Sequence, residues 1–506
     1  MMRIPVALGL LVCAGACSST NDTPSASSPD ASSGAQPPSG GTPTDLPDAG
    51  VADSSTTTAP TCAAAFGTYL RPYAVDSPWN TRPIKPVLGT ATIPDSILGY
   101  RPVISDSGGF STGVFLASAS DPPITLKGTP TINDKDVETQ LQTLVLPHWP
   151  ANVVPATESD GHADIVDPTT KMVHSFNGMK KLPDGSWEVR DYAWTKLDGR
   201  GWGDPAHYFQ GARAVGVPAS AGIIRKHEFV SADPVYRHAL SLSLPHNAIM
   251  KGEGNAPTAI VYPATAGDSN DPSLANSGQI PEGSLLVLPA DFDSATMPTP
   301  ELVRIAETLK TYGAYVTDRN SATPYNIYVE IGTGYSLGQA TTIDAALATL
   351  QHALRPLASE AGWLDGCDQP AERHPKIELQ SMRGKWSLGA SVGWAVDESL
   401  YSTWLQGVAF KGPGVTYVSG WNNDRVTWGK PAAGKPYRVS AEATGGGTLR
   451  YQVMCEAPND ANKVDSGALQ GGQSFDFVWP VGTCNPFLSV TSGTATSVVR
   501  ARLQDN

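Results

Sequence analysis

The strongest constraint on this chain is how often its backbone is interrupted. Gly and Pro number 50 and 43 in 506 residues, and they fall between short β-prone runs about every ten residues. Long helices cannot survive that punctuation, whereas short strands joined by turns can. The fold class expected is therefore mainly β: an antiparallel β-rich domain, sandwich or jelly-roll-like, with a few helices, followed by a small C-terminal β-sandwich.

Local patterns fill in this scheme. "ADIVDPTTKMVHSF" reads as a hairpin turning at Pro168 to Lys171, and "KLPDGSWEV" adds a second turn at Pro183 to Gly185, so residues 162–194 form an antiparallel meander. Two helices are expected. "TPELVRIAETLKTYG" has Thr299 as N-cap, Pro300 in the first turn, Leu302, Ile305, Ala306 and Leu309 on one face, and Gly313 as its stop. "TTIDAALATLQHALRPL" places Ile343, Leu347, Leu350 and Leu354 on one stripe.

The amino terminus reads as export machinery. Arg3 precedes an apolar run from Ile4 to Val12, then Ala14, Gly15, Ala16 and Cys17. The apolar run is too short for a membrane span, which takes about 20 residues. "AGAC" resembles a bacterial lipobox, with Ala14 standing where Leu is usual; the resemblance implies lipidation at Cys17 after a signal peptide of residues 1–16, with ordinary cleavage and full release as the alternative. Residues 17–60 are a Ser/Pro/Thr-rich linker with five Asp, no Lys or Arg and almost no large apolar residue. Such a segment cannot bury enough surface to offset the entropy of ordering itself.

The remaining body is too long for one ordinary core, and two domains are expected, 61–367 and 376–506. The formal net charge is −13, and the body stays acidic without the linker. That excludes a general affinity for nucleic acid or anionic lipid. The membrane is then met only through a lipid anchor. Four cysteines remain after Cys13 and Cys17 are set aside. In an oxidising compartment the pairing expected is Cys62 with Cys367, clasping the ends of the larger domain, and Cys455 with Cys484. None has the CxxC spacing of a redox or zinc motif.

Chemistry concentrates in the first domain. In "ESDGHADIVDP" Asp160, His162 and Asp164 alternate with Gly161, Ala163 and Ile165, and a strand of period two puts the three polar groups on one face. That face is either solvated or functional. Seven of the nine histidines lie between His148 and His246, and histidine suits both proton transfer and metal binding. A metal held by Asp160, His162 and Asp164 with His207 or His238 ranks below plain acid–base work, because neither HExxH nor paired CxxC occurs. No cofactor is expected.

Glycosidic hydrolysis could draw on Asp160, Asp164, Glu158 or Asp204. β-Elimination could use His162 or His238 as base, Tyr208 or Tyr236 as proton donor, and Arg225 or Arg237 against the acid. Trp149, Trp187, Trp194, Trp202, Tyr192 and Tyr208 lie nearby and either line a sugar cleft or pack a core. The last domain holds six of twelve tryptophans, with Trp421 and Trp428 the candidates for sugar stacking. No GxSxG elbow occurs, and "GDSND" lacks the strand–turn–helix setting of an esterase.

"SPWN", "SDGHADIVDP", "GVPASAGIIR", "RHALSLSLP", "VYPA", "PEGS" and "YGAYVTD" together resemble a widespread, largely uncharacterised group of secreted proteins. The D-x-H-x-x-x-x-D, H-A-L and Y-G-x-x-V-x-D elements match Asp160, His162 and Asp167, then His238, Ala239 and Leu240, then Tyr312, Gly313, Val316 and Asp318. The resemblance covers most of 70–330 and directs attention to His162 and His238. The expected protein is a surface lipoprotein, monomeric, that cleaves a polysaccharide by hydrolysis first and β-elimination second. The catalytic candidates are Asp160, His162, Asp164, Arg225 and His238, and the substrate-binding ones Trp149, Trp194, Trp202, Tyr208, Trp421 and Trp428. The rival of another class is a non-catalytic glycan-binding or adhesive surface protein.

Overall fold

The computed structural model describes residues 62–506 apart from 106–108, 136–140, 205–206, 208, 253–257, 269–273, 338–339, 373–378, 381, 383–385, 389–400, 403–406, 411, 420–430 and 457–461. The fold is mainly β, with two substantial helices and one four-residue helical turn. Cys17, Tyr208, Trp421 and Trp428 lie outside the described residues.

Two mixed seven-stranded sheets carry the first part of the chain. One runs Gly113–Leu116, Ala163–Asp167, Met172–Asn177, Trp187–Lys196, Ile124–Asp134, Leu141–Leu146, with Lys180–Lys181 beside Trp187–Lys196. The meander over 163–196 is antiparallel throughout. The other sheet orders Val87–Leu88, Arg355–Ser359, Leu285–Val287, Ala314–Asn320, Leu240–Pro245, Asn326–Tyr328 and Val103–Ser105. Four pairings in these sheets are parallel, such as Leu240–Pro245 with Ala314–Asn320, so an all-antiparallel description is too simple.

Alternation along the strands builds three apolar layers. Leu240, Leu242, Leu244, Ala314 and Val316 pack against the helices Pro300–Thr311 and Thr341–Ala353 through Leu302, Ile305, Leu309, Ile343, Leu347 and Leu350. The opposite face of that sheet, through Leu285, Val287 and Tyr315, meets Val166 and Val173 of the first sheet. Ala163, Ile165 and Phe176 point the other way, to a third cluster with Trp149, Trp187 and Trp194. Thr299 caps the first helix by accepting from Leu302 N at 3.2 Å, and Gly313, at φ 75°, ends it.

From Trp386 onward two five-stranded sheets, antiparallel in every pairing, enclose a core drawn from 382–503 alone. Both expected disulfides are present, Cys62–Cys367 and Cys455–Cys484. They fit an oxidising compartment. Among the described residues no helix is long and apolar enough to cross a membrane.

Candidate functional site

Three of the motifs quoted above are stitched together by the backbone. Ala239 N donates to Trp79 O at 2.8 Å and Ser241 N to Gly222 O at 2.7 Å, which brings "SPWN", "GIIR" and "RHAL" side by side. The Asn80 amide donates to Pro72 O at 3.0 Å and Ala74 O at 2.8 Å, fixing the turn at Tyr73. Tyr73 sits at φ 71°, a left-handed conformation that costs a non-glycine residue about 1 to 3 kcal/mol. Glycines make room on both sides. A Cβ on Gly201 would lie 2.4 Å from the Tyr73 ring, and one on Gly222 2.3 Å from the Trp79 ring.

Where these segments meet, a cavity of about 290 Å³ opens. Phe66, Tyr73, Trp79, Ile223, Val235 and Tyr236 supply its apolar and aromatic lining, and Arg71, Arg225, His227, Glu228, Arg237, His238 and Arg304 its charge. Trp79 is itself stacked on Trp202, with ring centroids 5.4 Å apart, and Tyr315 meets both edge-on.

Arg225 is the best-held cation. Its Nε donates to Glu330 at 2.8 Å, its Nη1 to Tyr69 O at 3.3 Å, and it lies over the Tyr69 ring at 4.7 Å. Its residue is only 4% exposed, yet Nη2 has no hydrogen-bond partner. Glu228, on the helical turn Lys226–Phe229, accepts from Arg225 N at 2.9 Å and lies 3.2 Å from His238 Nε2. His238 Nδ1 is 2.8 Å from Ala239 O. Both ring nitrogens thus face acceptors, which is satisfied only by the imidazolium. Burial opposes charge on both partners, but each one's attraction outweighs it: His238 is raised above its ordinary value and Glu228 is held down at about 2. His227 differs. Burial lowers it, and because its Nε2 meets Leu70 O at 3.1 Å, Nε2 carries the proton and Nδ1 the lone pair.

The run that contains Asp160, His162 and Asp164 is divided among three environments. The strand begins only at Ala163, after a turn in which Gly161 takes φ 47°. Both its faces are buried, so the solvated-face expectation is corrected. Asp164, at 0% exposure, accepts from Ser220 N at 2.7 Å, directly behind the pocket that Ser220 lines. His162 donates Nδ1–H to Phe176 O at 3.0 Å, and burial, aided by Arg213, lowers it to about 3. Asp160 is raised, by burial first and the charge of Asp318 second. Neither Asp160 nor His162 lines the pocket.

They belong to a second cluster. Arg213 pairs with Asp318 at 2.5 Å and lies 4.2 Å over the Tyr328 ring, and burial pushes Glu282 up to about 8 with the charges of Asp268 and Asp318 adding to it. "DGHADIVD", "PEGS" and "YVTD" therefore converge here. The other histidines scatter: His148 joins Asp167, His174 the Tyr192 hydroxyl, His246 the Ser321 carbonyl. Among the described residues no group of three or more His, Cys, Asp or Glu is placed to hold a metal ion.

The tryptophans expected to line a cleft are packing residues. Trp149, Trp194 and Trp202 are 6%, 3% and 0% exposed, against Trp187, His207 and Trp79 respectively. Their large apolar area is worth more inside than on a surface. Tyr73, Glu228, Glu330 and Arg213 are pocket or cluster residues that no motif spacing singles out, whereas Glu282 lies in "PEGS". Of the first four, Glu228 alone leaves a trace, the three-residue step from Arg225 typical of a capping box.

No protein-family model and no curated protein matches the chain. A solved structure of the Glycosylation Associate Protein (Gap123) complex from Streptococcus agalactiae aligns over 24% of this chain and 45% of its own, at 11% identity and a TM-score of 0.14. A likeness that slight carries no argument.

Proposed function

We propose that this chain is an extracytoplasmic carbohydrate-active enzyme, a monomer held to a membrane through a lipid on Cys17, that cleaves glycosidic bonds of a polysaccharide in the pocket around Arg225 and His238. The observation that carries this reading is one cavity combining aromatic side chains, of which Phe66 is partly exposed, with a neutral histidine, an imidazolium and a buried guanidinium. Aromatic faces hold sugar rings, and the polar groups cover proton removal, proton delivery and charge neutralisation.

The proton inventory favours elimination at this pocket. Hydrolysis needs one carboxyl that keeps a proton and another that attacks or activates water. Glu228 is locked ionised on His238, and Asp233 is an exposed partner of Arg237 at 3.9 Å. Elimination needs a neutral base, which His227 supplies. It removes the proton from the carbon that bears the carboxylate, those electrons form a double bond to the adjacent carbon, and the glycosidic C–O bond at that adjacent carbon breaks. The departing oxygen takes its proton from the His238 imidazolium, which lines the same pocket. Hydrolysis keeps one supporting observation, the raised carboxyls of Asp160 and Glu282 in the second cluster.

The test is to incubate the exported body with neutral and acidic polysaccharides, following reducing ends and the ultraviolet absorbance of unsaturated sugars together. Both signals are expected. Reducing ends alone would move the reaction to the carboxylates of the second cluster, and binding without either signal would favour the adhesive reading.

A further inference from the structure

The charges of the pocket do not balance. Arg225 is answered by Glu330, Arg237 by Asp233 and His238 by Glu228. Arg71 lies over the Phe66 ring at 5.5 Å and Arg304 over the Tyr236 ring at 4.0 Å. Arg304 spends Nη1 on the carbonyls of Glu228 and Ser231, and neither arginine forms an ion pair among the described residues. Two positive charges are left over at one small cavity. To them is added the buried Nη2 of Arg225, a donor that has given up water without gaining a partner. Leaving such a donor unmade costs about 1 to 3 kcal/mol, more for a charged group, so its natural complement is an anionic acceptor that arrives with the ligand.

Size narrows the ligand further. At about 290 Å³ the cavity lies at the lower limit of small-molecule sites, which suits one sugar ring rather than a run of several.

Resting on the elimination reading above, we infer that the pocket receives the reducing-terminal residue of an acidic glycan, a single hexuronate whose C4-linked neighbour is the leaving group and whose carboxylate is held by Arg71 and the Arg225 guanidinium. The enzyme would then work from chain ends.

Calorimetric titration of the whole exported body with glucuronate, galacturonate, glucose and glucose 6-sulfate tests this. The expected result is binding of a hexuronate, weakened by added salt, with glucose bound roughly ten- to hundred-fold less well. Arg71→Ala, at a half-exposed position, should cost about ten-fold in hexuronate affinity. Arg225→Lys, which keeps the charge opposite Glu330 but loses the fork, should cost more. Equal binding of glucose and hexuronates, or unchanged affinity in both variants, overturns the inference. Tighter binding of the sulfate overturns the carboxylate assignment. The two readings fail separately. Hexuronate binding without unsaturated product on any polysaccharide sinks cleavage and keeps the anion site, whereas cleavage of neutral glycans without hexuronate binding does the reverse.

Discussion

Replacing Glu228 with Gln should discharge His238. The imidazolium survives in a largely buried position, at 13% side-chain exposure, only because Glu228 lies 3.2 Å away; burial alone lowers a histidine. Glutamine preserves shape and can still accept from Arg225 N, so the change isolates the charge. Glu228 is depressed from 4.5 to about 2 in the folded protein, and at 1.36 kcal/mol per unit that is roughly 3 kcal/mol of stabilisation. A depressed carboxylate contributes above its unfolded value and loses that contribution as pH falls through about 2. A raised histidine contributes below its unfolded value, 6.5, and loses it as pH rises through the folded one. The pair therefore stabilises fully between about pH 4.5 and 6.5, and the variant should lose most there. The direct assay follows the His238 ring protons by NMR through a pH titration. The wild-type ring should titrate above 6.5 and the variant below it, with chemical denaturation showing the stability loss at pH 5.5. A His238 midpoint unchanged by the substitution would refute the reasoning, since among the described residues Glu228 is the carboxylate that acts on that ring most strongly.

Two more outcomes follow from the fold. Converting Cys62 and Cys367 to Ser opens a loop of 305 residues and, where loop entropy governs the loss, should cost on the order of 5 to 6 kcal/mol in a denaturant titration. Gly222→Ala places a methyl against the Trp79 ring at φ 68° and should cost about 2 to 4 kcal/mol through strain and overpacking; hexuronate affinity should fall in the same variant, because Trp79 lines the pocket.

What the sequence discloses depends on whether a signal is local. The helix over Pro300–Thr311 was legible because Thr299, Pro300 and Gly313 each act within a few residues of themselves. The meander over 163–196 was legible for the same reason, its turns lying at Pro168 to Lys171 and Pro183 to Gly185. The parallel pairings were not, since nothing in Leu240–Pro245 records that Ala314–Asn320 will lie beside it. Nor could periodicity tell a solvated face from one covered by another sheet, and that is why Asp164 reads as a surface residue and proves fully buried.

The same distinction explains the site. The motifs pointed to His162 and His238 as if to one centre, but the fold sends them to different ones, with the strand Ala163–Asp167 between. Its Asp164 reaches Ser220 at the pocket, while Asp160 and His162, just before it, feel Arg213. A single short run thus serves both centres, which accounts for its density of ionisable groups better than one catalytic face would. Arg225 and His238 were recognisable by residue type. Their partners Glu330 and Glu228 were not, because a carboxylate that makes a buried cation affordable is specified by distance in space. It is those partners that set the protonation states: Glu228 keeps His238 protonated and so unable to act as a base, and in the elimination proposed above proton removal falls to His227.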